Sequence, residues 1–227
     1  LVNIKGFSAE LNRSCKELQN SLRMVPSEHP EIEKINNLIK EEMPESLKFI
    51  SSSANSMEML ISGLLRVSRI GTSPIKIQKA DTDKIVTDVV NNLEYEIKDK
   101  DIKIDVQQNL PPCMADRGQL NQIFSNLLSN AIKYLDNDHT GKINVTGKKE
   151  SGKVLYCVED NGIGIESEHQ GQIFNIFHRL NPGGLVTGDG LGLTIVKRII
   201  DRNGGEIWLD SQPGKGSKFF FRLPLAT

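Results

Sequence analysis

The stretch Lys153-Val154-Leu155-Tyr156-Cys157-Val158-Glu159-Asp160-Asn161-Gly162-Ile163-Gly164-Ile165 decides how the second half of this 227-residue chain folds. Val154, Tyr156 and Val158 alternate as a half-buried strand requires. The strand runs directly into two glycines, which let backbone approach a flat ring closely. A carboxylate at the strand end, Asp160, can accept a hydrogen bond from an exocyclic amine such as that of adenine. Alone, the same residues also fit an ordinary Asn-Gly turn, so their neighbours must separate the two readings.

Upstream lies Asn126-Leu-Leu-Ser-Asn130-Ala-Ile-Lys133-Tyr134. Asn126 and Asn130 are four apart on a predicted helix over 116–134 and share a face. An amide oxygen can ligate Mg²⁺ without adding charge, and an amide nitrogen can reach phosphate. Lys133 can supply a positive partner to a triphosphate. Downstream, Gly188-Asp-Gly190-Leu191-Gly192-Leu193 opens a predicted helix over 191–203. Glycines there leave backbone N–H groups free to face phosphate oxygens, aided by the helix dipole. No strand immediately precedes this segment and no Gly-Lys-Ser/Thr follows it, so it is neither a Rossmann fingerprint nor a P-loop. Between the glycine segments, Phe174 and Phe177 are hydrophobic anchors, and 180–187 reads as a lid hinged on them.

Further outward, residues 81–98 read as helix, 101–107 as strand and Ile143 with Val145 as another. Glu206–Asp210 and Lys218–Leu223 form a hairpin joined by the turn-rich 211–216. Asp116 with Gln119 has the spacing of a capping box. Helices and strands mixed in this way predict an α/β sandwich, with helices on one face of a mixed sheet.

The front of the chain is purely helical in pattern. Leu1, Ile4, Ser8, Leu11, Cys15, Leu18, Leu22 and Val25 alternate spacings of three and four, and Met43, Leu47, Ile50, Ala54, Met57, Ile61, Leu64 and Ser68 repeat them. This is the a/d stripe of a coiled-coil-like helix. Val25-Pro-Ser-Glu-His-Pro30 reads as the turn between the two. Ile32, Ile35 and Ile39 are one step out of phase with the Met43 series, and Pro44 at that slip predicts a kink or break. Two such narrow stripes make a poor monomeric core, but two hairpins bury both in a four-helix bundle. A homodimer through residues 1–70 is therefore expected; the alternative is a hairpin packed on its own C-terminal domain.

Lys and Arg number 28 against 29 Asp and Glu, a formal charge of −1. That balance offers no general attraction to nucleic acid or anionic lipid. No apolar run approaches the about 18–20 residues of a membrane span. Cys15, Cys113 and Cys157 are too scattered for a disulfide frame or zinc site. The setting expected is cytoplasmic, and the start at Leu1 reads as that of a fragment.

In order and spacing, the four segments resemble the N, G1, F and G2 boxes of the ATP-binding domain of sensor histidine kinases. The closing Gly205-Glu-Ile-Trp-Leu through Gly214-Lys-Gly-Ser-Lys-Phe is similar to that family's final hairpin, and the front resembles its dimerisation and phosphotransfer domain. The resemblance implies a helical hairpin over 1–72, a linker over 73–80 and an ATP-binding domain of the histidine kinase/gyrase type over 81–227. It implies ATP and Mg²⁺ as cofactors, with Asn130 on the metal and Asp160 selecting adenine. Gly188, Gly190 and Gly192 would line the phosphates. Asn126, Lys133, Tyr134, Gly162, Gly164, Leu191 and Leu193 would complete the site. The activity implied is transfer of the γ-phosphoryl to a histidine and on to an aspartate of a response regulator receiver domain.

The family's phosphoacceptor box matches no part of this chain; it would lie about six residues before the position matching Leu1. None of His29, His139, His169 and His178 has the neighbouring acid, basic residue and proline in that box's arrangement, so none is assigned as acceptor. Two other functions compete. A gyrase- or chaperone-type ATPase would, by the same resemblance, carry Glu where this chain has Asn126, and an amide has no basic lone pair for a water proton. A dimeric pseudokinase scaffold would bind nucleotide without transfer.

Overall fold

The computed structural model describes residues 2–22, 30–72, 74–136, 139–176 and 190–226. It divides into two compact units, Leu1–Leu64 and Leu65–Thr227.

The first unit is helical: α1 (Val2–Leu22), α2 (Pro30–Asn37), a π-helical turn (Leu38–Glu42), and α3 (Met43–Thr72). The helix is not cut at Pro44 but widened just before it, where the Met43 N–H donates to Leu38 O, five residues back. Proline has no N–H to continue the ordinary ladder and its ring crowds the carbonyl four residues earlier, and a π turn relieves both. The apolar stripe divides into two rows. Cys15, Ile39 and Leu47 form a small buried cluster with Leu22 against it, and Ser8 and Ala54 are buried too. The alternate row, Ile4, Leu11 and Leu18 on α1 with Ile50, Met57, Ile61 and Leu64 on α3, is 43–56% exposed. Leu1 and Val25 lie outside the described residues.

The second unit contains β1 (Gln78–Ala80), α4 (Thr82–Asn92), α5 (Glu94–Asp99), β2 (Lys103–Val106), β3 (Cys113–Ala115) and α6 (Arg117–Lys133). It continues with β4 (Lys142–Glu150), β5 (Lys153–Asp160), α7 (Ser167–Gln170), α8 (Gly192–Arg202), β6 (Glu206–Gln212) and β7 (Gly216–Pro224). Five strands form one sheet in the order β2-β4-β5-β7-β6, with β2 parallel to β4 and the other neighbours antiparallel. β5 is the central strand. Its inward residues Val154, Tyr156 and Val158 share one core with Ile143, Val145, Phe219, Phe221 and Leu223. The apolar faces of α4, α6 and α8 complete it, with Ile85, Val89, Leu120, Phe124, Leu127, Ile195 and Ile199 buried. Phe124 of α6 meets Tyr156 and Phe221 edge-on, at 5.7 and 5.4 Å between centroids. The mixed sheet with helices on one face is the architecture expected.

Three local details differ from the sequence reading. The helix over 81–98 is two helices that part at Leu93. Gln78–Ala80, in the stretch read as linker, pairs with Cys113–Ala115 in a small antiparallel sheet. The hairpin connection shrinks to residues 213–215, because β6 runs through Gln212 and β7 starts at Gly216. The Asp116 cap is as expected: its Oδ1 accepts from Gln119 N at 3.1 Å, and Oδ2 also accepts from Lys76 N at 3.0 Å. Cys15, Cys113 and Cys157 are free thiols. Among the described residues no helix is long and apolar enough to cross a membrane.

Candidate functional site

Asp160 ends the central strand at 7% exposure, with its Oδ1 accepting from Gly162 N at 2.9 Å and Ser217 N at 3.3 Å. Burial pushes this carboxyl up to about 6; the two amide bonds pull it down and the nearby Glu159 charge adds a smaller upward push. Oδ2 has no hydrogen-bond partner among the described residues. A side chain of this kind, fixed through one oxygen with the other open, is suited to accept one hydrogen bond from a ligand.

The loop after Asp160 is pressed between two walls. Ile163 N donates to Tyr134 O at 3.0 Å, and a Cβ at Gly162 would stand 2.2 Å from that carbonyl. Tyr134 follows the last turn of α6, so this helix delivers the loop's first wall. The second wall is the β6–β7 hairpin. Gly164, at φ +70°, leaves a Cβ only 2.0 Å from Gln212 O, and Gly216, at φ +90°, leaves one 1.9 Å from Asp160 O. Only glycine meets both the left-handed backbone and the close approach. Ser211 Oγ accepts from Ile165 N at 2.9 Å, and Gln170 Nε2 reaches both Ile165 O and Ser211 O.

One and two turns back along α6, Asn130 and Asn126 face the start of α8. A Cβ at Gly192 would lie 3.3 Å from Asn126 Oδ1 and 4.0 Å from Asn130 Nδ2. Asn126 Nδ2 is buried with no hydrogen-bond partner among the described residues. Such an orphan donor costs about 1–3 kcal/mol, and an acceptor brought by a ligand would relieve it. Leu191 at the N-cap of α8 offers no side-chain cap, and the first-turn amides of this 11-residue helix carry the positive end of its dipole. Lys133 Nζ stands over the Tyr134 ring, 5.5 Å from its centroid.

The structure therefore brings Asn126, Asn130 and Gly192 together, carries Lys133 and Tyr134 further along α6, and sets Gly162 against Tyr134 and Gly164 against the β6–β7 hairpin in the loop after Asp160. Gly190 takes φ +68° just before α8. Leu191 is fully buried and Leu193 packs against the core, so their side chains serve the fold. Gly188, Phe177 and the lid reading over 180–187 lie outside the described residues. Phe174 is half-buried, its carbonyl accepting from Thr194 Oγ at 3.0 Å. Sequence reasoning missed Gly216 and Ser217, whose approach to Asp160 depends on strand register, as well as Ser211 and Gln170, which hold Ile165. Among the described residues no group of three His, Cys, Asp or Glu side chains can hold a metal ion. The Asn130 amide fits Mg²⁺ only as one protein ligand to an ion that arrives with phosphates, the usual manner for this cation.

Residues 115–227 match, and belong to, the family of histidine kinase-, DNA gyrase B- and HSP90-like ATPases. Within it, the chain carries a catalytic domain of the sensor histidine kinase type. It is 32% identical over 228 residues to the phytochrome-like protein Cph1 of Synechocystis, a match covering 98% of this chain and 30% of Cph1. It thus spans about a third of that curated relative. The nucleotide-free catalytic domain of the histidine kinase ThkA is 28% identical with a TM-score of 0.57, covering 66% of this chain and 96% of that domain. ThkA crystallised in complex with the response regulator protein TrrA shares the fold across 99% of this chain and 61% of ThkA, at 22% identity and a TM-score of 0.60.

Proposed function

We propose that this chain is the ATP-binding kinase core of a sensor histidine kinase, transferring the γ-phosphoryl of ATP to a histidine and on to an aspartate of a response regulator receiver domain in the cytoplasm. The observation that carries the reading is that α6 meets groups suited to both ends of the proposed nucleotide cleft. Its last turn meets the glycine loop that follows the buried Asp160, while Asn126 and Asn130 meet the start of α8. Between Asn126 and Tyr134 the helix advances about 12 Å, the scale of a nucleotide extended from base to phosphates.

In this reading Asp160 accepts from the exocyclic amine of adenine. The first-turn amides of α8, with Gly190 and Gly192 admitting close approach, face the phosphates, and Lys133 adds charge. Asn126 offers its orphan N–H to a phosphate oxygen, and Asn130 directs its amide oxygen at Mg²⁺. Bound Mg²⁺ would supply charge neutralisation on the triphosphate; the protein's share is positioning. None of the four histidines has the surroundings of an acceptor, so the chain binds nucleotide without labelling itself. Asn126 in place of a carboxylate base makes it a poor hydrolase. The exposed apolar row of α1 and α3 supports a homodimer through residues 1–70.

Replacing Asn130 by Ala tests the metal assignment. Mg-ATP binding is expected to be about 10-fold or more weaker, from about 1.5–3 kcal/mol for a charge-assisted contact, with metal-free ATP little changed. Equal affinity of parent and variant for Mg-ATP would remove Asn130 from the metal.

A further inference from the structure

Asn161, between Asp160 and Gly162, turns every polar atom it has toward the segment entering β4. Its N–H donates to Lys142 O at 3.2 Å, and its Oδ1 accepts from Lys142 N at 2.7 Å. Its Nδ2 donates to Thr140 O at 3.0 Å, and its carbonyl oxygen lies 2.8 Å from His139 Nε2. The other ties of this loop run elsewhere: Ile163 N to Tyr134 O, Gly214 N to Ile163 O, and Ser217 N to Asp160 Oδ1. Asn161 therefore fastens the loop on the β4 side, one residue from the carboxylate. Two glycines follow within three residues, and glycine backbone has the most freedom to lose on ordering.

We infer that Asn161 is a positioning residue for base recognition: its amide bridge to residues 140–142 holds Asp160 where the carboxylate meets an exocyclic amine, and so sets the preference for adenine over guanine without touching the nucleotide. This rests on the nucleotide reading proposed above. Guanine presents a carbonyl oxygen where adenine presents its amine, and an acceptor facing a carboxylate is rejected only while that carboxylate cannot turn aside. A loosened loop loses the discrimination and leaves the phosphate end of the cleft alone, because Asn126, Asn130 and Gly192 share no hydrogen bond with it.

The test is equilibrium binding of Mg-ATP, Mg-GTP and Mg-tripolyphosphate to the full chain at pH 8, for the parent, Asn161→Ala, Asn161→Asp and Asp160→Asn. Asn161→Ala is expected to weaken ATP about 10-fold while GTP and tripolyphosphate stay within about twofold. Asn161→Asp keeps the acceptor for Lys142 N but not the donor to Thr140 O, and is expected to lose about threefold. If Asn161→Ala does not fold, Asn161→Asp and His139→Ala decide by the same ratio. An equal loss on all three ligands, or an unchanged ATP-to-GTP ratio in a background where Asp160→Asn abolishes it, overturns the inference. An unchanged ratio in Asp160→Asn would instead remove the base-recognition reading beneath it.

Discussion

At the scale of a residue, Asp160 sets folding against binding. Its carboxyl is pushed up to about 6, chiefly by burial, so the unfolded chain ionises near pH 4 and the folded chain only near 6. Stability at this position is therefore greatest below the unfolded value and is lost as pH rises from about 4 through about 6. Asp160→Asn keeps an acceptor for Gly162 N and Ser217 N but carries no charge. It is expected to melt higher than the parent at pH 8, by an amount worth up to about 3 kcal/mol, and alongside it near pH 4. In the parent, affinity for Mg-ATP should fall below about pH 6 as the carboxyl protonates. A variant that melts lower than the parent at pH 8 would contradict the assigned cause. The strand, its end and its acid were legible from alternation and the glycines. The tether from Ser217 was not, because 57 residues separate it from Asp160 and only the β5–β7 register brings them together.

At the scale of elements, the site is a loop wedged between α6 and the β6–β7 hairpin, and the hairpin's two turn glycines differ in what they do. Gly214 takes φ +72° with nothing within 4 Å of a Cβ, whereas Gly216 takes φ +90° and would drive a Cβ into Asp160 O. Gly214→Ala is expected to cost about 1 kcal/mol of stability from backbone strain alone. Gly216→Ala should cost several times more and weaken nucleotide binding with it, as read by denaturant unfolding and ATP titration side by side. Equal costs would show that the hairpin does not support the loop. Sequence patterning also carried the Asp116 cap and the disturbance at Pro44. It missed the parting at Leu93 because Ile85, Val89, Val90, Leu93 and Ile97 keep helical spacing straight through it. The short β1–β3 sheet escaped because three-residue strands leave too little alternation to read.

At the scale of the molecule, the two units have different sufficiency. The second closes a large core of its own. Among the described residues the first buries only a small cluster and leaves a row of large apolar side chains exposed, a state another copy of the hairpin would relieve. Ile61→Glu with Leu64→Glu is expected to convert a dimer to a monomer in sedimentation while leaving nucleotide affinity unchanged; a parent that sediments as a monomer would contradict the pairing.

The central claim is most directly tested by crystallising the chain with Mg²⁺ and a non-hydrolysable ATP analogue. Adenine is expected against Asp160, phosphates at the start of α8 and the ion on the Asn130 oxygen. A nucleotide bound elsewhere, or a cleft along α6 that stays empty at saturating ligand, would contradict it.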